Sequence, residues 1–172
     1  MKACFIIFHK NIQQYPKSWT EMFLSSIKKQ TKKIPVLECD YGNKENQIYK
    51  KSIFFNKDYP THAHAHNFLC HEAVRMGFNA VFNTNVDDIY HFQRVEKQLP
   101  YMEAGYDVVS CDMTQIDQNN IVLREDIRFS QMDIEHNGLQ RNHNIIAHPG
   151  CVYSKNFIEN RRIVTGKPYV FS

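Results

Sequence analysis

The sequence has no long hydrophobic run, no basic stripe and no glycine in the segment after its first apolar run, and each absence argues against a class of protein. The apolar run at residues 3–8 is too short for a signal-peptide core or a membrane-spanning helix. The net charge is only +3, and no Lys/Arg cluster interleaves with aromatic residues. The segment after the first apolar run, residues 8–16, contains no glycine to cradle a phosphate. We therefore expect no integral membrane segment and no nucleic-acid partner.

Cysteine pairs are absent as well. The chain has five widely spaced cysteines, and none belongs to a C-x-x-C pair: Cys4, Cys39, Cys70, Cys111 and Cys151. An odd number without a pairing pattern indicates neither a disulfide framework nor a zinc ribbon. Free thiols of this kind are typical of a reducing compartment, so we expect a cytoplasmic protein.

The sequence does contain a regular alternation of strand-like and helix-like segments. Apolar runs predict strands at residues 3–8, 34–40, 52–55, 79–85 and 106–112. Amphipathic patterns predict three helices between these strands. The first has Ser18 as its N-cap, the second covers residues 62–76 and the third covers residues 89–104.

This alternation predicts an α/β fold, a three-layer α/β/α sandwich with a mainly parallel, Rossmann-like sheet. The polar, weakly periodic residues 113–147 predict loops or an irregular hairpin above the sheet. Residues 147–163 then predict a strand followed by a helix. With 172 residues and 42% hydrophobic composition, the chain suits one well-cored domain.

Polar side chains follow three of the predicted strands. They are His9, Lys10 and Asn11 after the first strand, Asp40 after the second, and the segment 85–88 after the fourth. In open α/β sheets, ligands bind at the carboxyl ends of the strands, near the point where the strand order reverses. The sequence therefore predicts that three separate segments meet at one crevice.

Two adjacent carboxylates, Asp87 and Asp88, stand in the third of these segments. Neighbouring negative charges disfavour each other, which a bound cation would relieve. Carboxylate and amide oxygens without a nearby cysteine suit Mg²⁺ or Mn²⁺, which commonly takes further ligands from substrate phosphates. A metal-bridged diphosphate is therefore the predicted ligand. The alternative is that Asp88 only caps the following helix.

These segments resemble, in order and spacing, the family 2 glycosyltransferases with the GT-A fold. The resemblance covers roughly the first 110 residues and the segment HPGCVY. It is carried by FHKN (8–11), SIKKQT (26–31), DYGN (40–43), HNFLCHEAVRMG (66–77) and NVDD (85–88). The last segment stands where the family has its Asp-x-Asp metal motif.

The resemblance implies a transfer of sugar from a nucleotide-diphosphate donor, a UDP-linked one in our prediction, to a glycan, lipid or protein acceptor. The implied donor-binding residues are His9, Lys10, Asp40, Gly42, Asn67, Asn85 and Asp87. Among them, Asp87 would ligate the Mn²⁺ or Mg²⁺ ion together with Asp88. Residues 1–112 would form the nucleotide-sugar-binding half, and residues 113–172 the acceptor-side part.

Two departures from the family pattern affect the donor site. Asn85 replaces the first Asp of the metal motif, and His66 replaces the Arg that precedes Asn67. An amide can still bind a sugar hydroxyl, but it brings no charge. We therefore expect weaker metal binding than is usual in the family.

An inverting transferase also needs a general base. The family takes it from a Glu-Asp pair downstream of the segment that HPGCVY resembles, and no such pair follows Arg162 here. We expect that the base of this single domain is absent, lies in a C-terminal part that the sequence does not include, or is replaced by another residue, for which Asp112 is the candidate. His148 is the candidate on the acceptor side.

Two other classes of protein stay open. One is a nucleotide-sugar-binding domain or subunit that lacks the base and transfers nothing. The other is a sugar-phosphate nucleotidyltransferase, although such an enzyme would use a glycine-rich loop after the first strand.

A histidine-rich segment raises a separate possibility of zinc binding. His62, His66 and Cys70 have helical i, i+4, i+8 spacing and would share one face. The spacing matches no recognised zinc motif, so we favour a helix start with solvent-facing imidazoles.

Overall fold

The computed structural model describes residues 1–117, 119–127 and 148–160. Six strands form one sheet, and they are β1 (Ala3–His9), β2 (Val36–Asp40), β3 (Ile53–Asn56), β4 (Ala80–Asn83), β5 (Val108–Val109) and β8 (Val152–Ser154). Their order across the sheet is β3-β2-β1-β4-β8-β5. The first four strands pair in parallel, whereas β8 is antiparallel to both β4 and β5. The sheet is therefore mainly parallel, as predicted.

Within the described residues, four α-helices connect or follow these strands. They are α1 (Lys17–Lys28), α2 (His62–Arg75), α3 (Arg94–Glu103) and α4 (Lys155–Asn160). A hairpin of β6 (Met113–Ile116) and β7 (Val122–Ile127) lies outside the main sheet. This hairpin falls within the region for which the sequence predicted loops or an irregular hairpin.

Both faces of the sheet are covered by helices, which confirms the three-layer arrangement. Alternate residues of β1 point to opposite faces. Phe5 belongs to the core that contains Phe23 of α1 and Leu99 of α3. Ile6 belongs to the second core, with Leu69 of α2. A continuous apolar run was thus a correct indication of a central strand that is buried on both faces.

The first helix begins two residues earlier than predicted. Helix α1 starts at Lys17, and Pro16 rather than Ser18 is its N-cap. The amide of Trp19 donates to the carbonyl oxygen of Pro16 at 3.0 Å. Because proline fixes its own φ near the value seen here, −53°, it directs the chain into the helix without a side-chain cap.

The helix predicted for residues 89–104 begins only at Arg94, with Gln93 as its N-cap. Asp88 is therefore not a helix cap, and that alternative was wrong. The chain first makes a turn in which the Asp88 amide donates to the Asn85 carbonyl oxygen at 3.3 Å. It then places Tyr90 in the core before the helix starts.

The strand predicted at residues 106–112 consists only of Val108–Val109. Asp112 consequently lies three residues beyond this strand, next to the start of β6, instead of at a strand end. The strand is short because it pairs on one side only, with β8, at the edge of the sheet.

The strand order identifies where a ligand would bind. From β1 the chain continues to β2 on one side and reaches β4 on the other, so the order reverses between β1 and β4. The carboxyl ends of β1, β2 and β4 lie along one edge of the sheet there. Among the described residues, no helix is both long and apolar enough to span a bilayer.

Candidate functional site

The strand pairing brings the three predicted segments to the same edge. His9 is paired with Asp40 across β1 and β2, and Ile6 is paired with Asn83 across β1 and β4. The ends of β2 and β4 are separated by β1, which puts them about 10 Å apart at ordinary strand spacing. The predicted convergence of these strand ends is confirmed.

Asp40 organises the loop that follows β2. Its carboxylate is fully buried and accepts three backbone N–H bonds, from Gly42 at 2.9 Å, Lys44 at 3.2 Å and Asn46 at 3.0 Å. A short acidic side chain that caps the following amides is a common way to fix a turn. Asp40 therefore holds the loop in shape, and its predicted contact with a nucleotide base stays a prediction.

Gly42 allows Lys10 to lie against this loop. A Cβ atom added to Gly42 would be 2.9 Å from Lys10 Cγ and 3.4 Å from Asp40 Oδ1. The Lys10 ammonium lies 5.8 Å from the centre of the Tyr41 ring, where it gains a cation–π contact. Glycine is thus required for close approach, and the arrangement places one positive charge at the end of β1.

His9 is buried and does not face solvent. Its Nε2 is 3.1 Å from Oε1 of Glu38, and neither side chain has exposed surface. Its Nδ1 is buried without a hydrogen-bond partner in the described structure. Sequence reasoning missed Glu38. The signal was a carboxylate inside the apolar run IPVLECD, where an isolated buried charge would be costly.

The predicted metal motif forms the turn after β4. Asp87 is exposed, and no hydrogen bond or ion pair to its carboxylate is found in the described part of the chain. Asp88 is half-buried, and burial together with the Asp87 charge raises the pKa of Asp88 to about 6. Burial and then the Asp87 charge also raise the pKa of Tyr15. Asp87 thus lies close to the β1–α1 connection.

A buried arginine, Arg94, hydrogen-bonds the end of β4, where this turn begins. Arg94 donates from Nη1 to the Asn83 carbonyl oxygen at 2.9 Å and from Nη2 to the Cys151 carbonyl oxygen at 3.0 Å. Its guanidinium also stacks over the Tyr90 ring at 4.5 Å. Burial lowers the pKa of Arg94, whose charge opposes the rise in the pKa of Asp88. Arg94 was missed because nothing local in HFQRVEKQ distinguishes it from a surface residue.

His148 is brought to the end of β4. The Asn83 amide lies 3.0 Å from His148 Nδ1 and donates to the His148 carbonyl oxygen at 2.9 Å. The imidazole packs against the ring of His66, 5.2 Å between centroids. Its predicted acceptor role is not decided by this position. Asp112, the proposed base, is exposed, and Asn67 is half-buried on α2.

The carboxylates present suit a hard divalent cation only if the ligand completes its coordination. Within the described ranges, no group of three or more His, Cys, Asp or Glu side chains could hold a metal ion. Asp87 and Asp88 alone offer two carboxylates, a number that is common for Mg²⁺ sites in which substrate phosphates and waters fill the remaining positions. Burial first and then the Asp87 charge raise the pKa of Asp88, and a bound cation would relieve the repulsion between the two carboxylates.

The histidine-rich segment does not match its predicted exposure. His66 is buried, 4% exposed, and its ring contacts Phe8 and Tyr153 edge-on, so the expectation of solvent-facing imidazoles was wrong for this residue. Its Nε2 lies 3.8 Å from Cys70 Sγ. The pair lies under the sheet edge and helps to pack α2 against it.

No model of a known protein family matches the chain, and no curated protein sequence matches it. Its structure is similar to that of S. aureus TarS 1–349, with a TM-score of 0.57 and 13% identity over 92% of this chain and 48% of that chain. A second TarS structure gives the same TM-score and identity over 29% of that chain. The chain thus spans about half of the TarS 1–349 chain.

A CMP:2-keto-3-deoxy-manno-octonic acid synthetase complexed with CTP is also similar. The TM-score is 0.54 and the identity 13%, over 93% of this chain and 77% of that chain. These similarities show the fold, which is the Rossmann-like α/β type of GT-A glycosyltransferases and nucleotidyltransferases. The predicted fold class is confirmed.

Proposed function

We propose that this chain binds a nucleotide-diphosphate sugar and belongs to a glycosyltransferase of the family 2 type. The observation that carries the proposal is that three features lie along the edge of the sheet where the carboxyl ends of β2, β1 and β4 are side by side. They are the loop held by Asp40, the Lys10 side chain with its stem against Gly42 and its ammonium over Tyr41, and the exposed carboxylate of Asp87. Each of these features stands at the carboxyl end of a parallel strand, where nucleotides bind in such sheets.

In this proposal the Asp40 loop and the β1 turn receive the nucleoside. The His9–Glu38 pair keeps that loop in place, and Asn85 offers its amide to the ribose. Asp87 and Asp88 would hold Mn²⁺ or Mg²⁺. When bound, the ion would neutralise charge on the leaving diphosphate.

The proposed reaction is attack of an acceptor hydroxyl on the anomeric carbon. The bond from this carbon to the diphosphate oxygen breaks, and the nucleoside diphosphate leaves with the bonding electrons. The hydroxyl proton passes to a carboxylate base, for which we propose Asp112, and we propose His148 as the residue on the acceptor side. A base must come within about 3 Å of that hydroxyl, directly or through a water.

Two alternatives compete with this proposal. One is a domain that binds the donor and transfers nothing, since the chain spans only 48% of TarS 1–349 and the activity of that whole chain does not carry over. The other is a nucleotidyltransferase, whose fold is as compatible with this sheet, as the similarity to the synthetase at a TM-score of 0.54 indicates. Against the latter, the β1–α1 connection contains no glycine.

A thermal-shift screen separates these functions. The chain is heated with UDP-, GDP- and CMP-linked sugars, and with CTP plus a sugar phosphate, each with and without Mn²⁺. We expect stabilisation by a UDP-sugar that increases with Mn²⁺, because a ligand that binds only the folded state raises the melting temperature. Stabilisation only by the triphosphate would support the nucleotidyltransferase. Donor binding without turnover would support the binding domain.

A further inference from the structure

A cleft lies on the α1 side of the Asp87 turn. Its walls come from three separate parts of the chain, namely Trp19 and Met22 of α1, Asp87 of the turn after β4, and Asp117 and Asn120 of the β6–β7 connection. The chain has one tryptophan, and this residue lies in the cleft. No function described so far uses Trp19, Asp117 or Asn120.

The cleft is on the opposite face of the sheet from α2. Phe23 and Ile27 of α1 pack in the same core as Tyr90. Ala65 and Leu69 of α2 pack in the other core. The cleft therefore approaches the Asp87 turn from one face, while α2, which carries Asn67, lies on the other.

Hydrogen bonds among the described residues of the hairpin connection, 117 and 119–121, orient the polar wall. Asp117 Oδ1 accepts the backbone amides of Asn119 and Ile121, each at 2.8 Å. From the described residues its Oδ2 receives one long bond, of 3.4 Å from the Asn119 side chain, so it keeps capacity to accept. Asn120 has a left-handed backbone conformation, with a φ of 62°. Its side-chain amide donates to Met22 Sδ at 3.6 Å, and this contact connects the hairpin to α1. The wall is therefore built before any ligand arrives.

The chemistry of the lining selects a neutral ligand with several hydroxyl groups. Two carboxylates and an amide provide acceptors and a donor for hydroxyls, and the lining includes no Lys or Arg to attract an anion. Trp19 provides a large flat apolar surface of the kind that packs against the C–H face of a sugar ring. A nucleotide or another phosphate would be repelled by the two aspartates unless a cation came with it.

We propose that this cleft binds a neutral sugar unit of the acceptor, with Trp19 as the stacking surface and Asp117 as the hydroxyl acceptor. This proposal rests on the proposed function in one respect, that the bound sugar belongs to the acceptor of the transfer. The binding of a neutral sugar in the cleft does not depend on the proposed function. The cleft and the proposed donor site share only Asp87. An acceptor held here would therefore come next to the proposed diphosphate position from the α1 face.

Intrinsic fluorescence tests the proposal, because all tryptophan emission comes from Trp19. The full chain is titrated with methyl glycosides of glucose, galactose, N-acetylglucosamine and N-acetylmannosamine, without nucleotide or metal. We expect at least one glycoside to change the emission saturably, with a dissociation constant on the order of 1 mM for such a small ligand. Absence of any saturable change across the panel would overturn the proposal.

Variants decide whether the change reports the cleft. Asp117→Asn keeps an oxygen for the two backbone amides but removes the charge, and we expect it to weaken glycoside binding about tenfold. Glu125→Gln, on the exposed part of the same hairpin, is the matched control and should bind as the native chain does. Equal binding by the native chain and Asp117→Asn would contradict the proposal.

The two hypotheses fail separately. Loss of glycoside binding with intact UDP-sugar binding by calorimetry would overturn the cleft and leave the donor site standing. The reverse result would support a sugar-binding cleft and contradict the proposed function. An emission change produced by Mn²⁺ alone and by no glycoside would indicate a cation between Asp87 and Asp117, and it would overturn the carbohydrate proposal.

Discussion

His9 Nε2 and Glu38 Oε1 lie 3.1 Å apart in the interior, on the neighbouring strands β1 and β2. Glu38 accepts three further bonds, from the amides of Ile48 at 2.6 Å and Tyr49 at 3.0 Å and from the Ser52 hydroxyl at 2.8 Å. One carboxylate therefore fastens the end of the loop that Asp40 holds at its beginning. The loop at the proposed nucleotide position is fixed by two buried acids.

We predict that Glu38→Gln destabilises the protein on the order of 3 kcal/mol, because an amide cannot accept all four bonds and leaves buried donors unpaired. Urea unfolding measures the change. Glu45→Gln is the control, since Glu45 lies on the same loop with its side chain exposed. Equal stability of Glu38→Gln and the native chain would contradict the assigned role of the pair.

Asp87→Asn should remove the metal-dependent part of donor binding. If Asp87 ligates the cation that contacts the diphosphate, the native chain binds a UDP-sugar more tightly when Mn²⁺ is added. In the variant, the factor by which Mn²⁺ increases the affinity should be smaller by at least about tenfold, which corresponds to about 1.4 kcal/mol of binding free energy. Calorimetry with and without Mn²⁺ gives both values. Glu21→Gln, an exposed carboxylate on α1, should retain the gain, and an equal gain in Asp87→Asn would refute the metal assignment.

The part of the site that was predictable from the sequence is the part that strand ends determine. Apolar runs end at His9, Asp40 and Asn83 or close to them, and parallel pairing then requires their ends to share one edge. The order of segments was also sufficient to indicate the fold. These features depend on local periodicity and on the general rules of α/β topology.

The remaining features depend on the path of the chain between strands. The bonds from Glu38 reach residues 10 to 14 positions later, and those from Arg94 reach Cys151, 57 positions away. Nothing local in a sequence specifies such partners. The start of α3 was misplaced for a related reason, because Tyr90 is buried by tertiary packing before the helix begins.

Asp107 provides a test that depends on pH. It accepts bonds from Ser154 Oγ at 2.5 Å and from Asn156 Nδ2 at 3.2 Å, and these bonds hold the pKa of Asp107 below its usual 3.8. A carboxylate with a lowered pKa stabilises the fold above its unfolded-state pKa, and this contribution is lost as the pH falls through the folded-state value. Because Asp107 is exposed, we expect the contribution to stay below about 1 kcal/mol.

Asp107→Asn should therefore slightly lower the free energy of unfolding at pH 7. As the pH falls from about 5 to below 3.8, the free energy of unfolding should decrease less in the variant than in the native chain. Urea unfolding at a series of pH values measures this difference. Asp58→Asn serves as the control for removing an exposed carboxylate. Identical pH profiles for Asp107→Asn and the native chain would contradict the contribution of Asp107.

Gly42→Ala should displace Lys10 from the loop. The added methyl would lie 2.9 Å from Lys10 Cγ, so the lysine stem must move, at a cost of about 1–3 kcal/mol. In a Lys10→Ala background the contact no longer exists, so Gly42→Ala should there cost much less. Unfolding of the four chains of this double-mutant cycle gives the coupling energy. A cost of Gly42→Ala that is unchanged by Lys10→Ala would show that the glycine serves the loop backbone rather than the approach of the lysine.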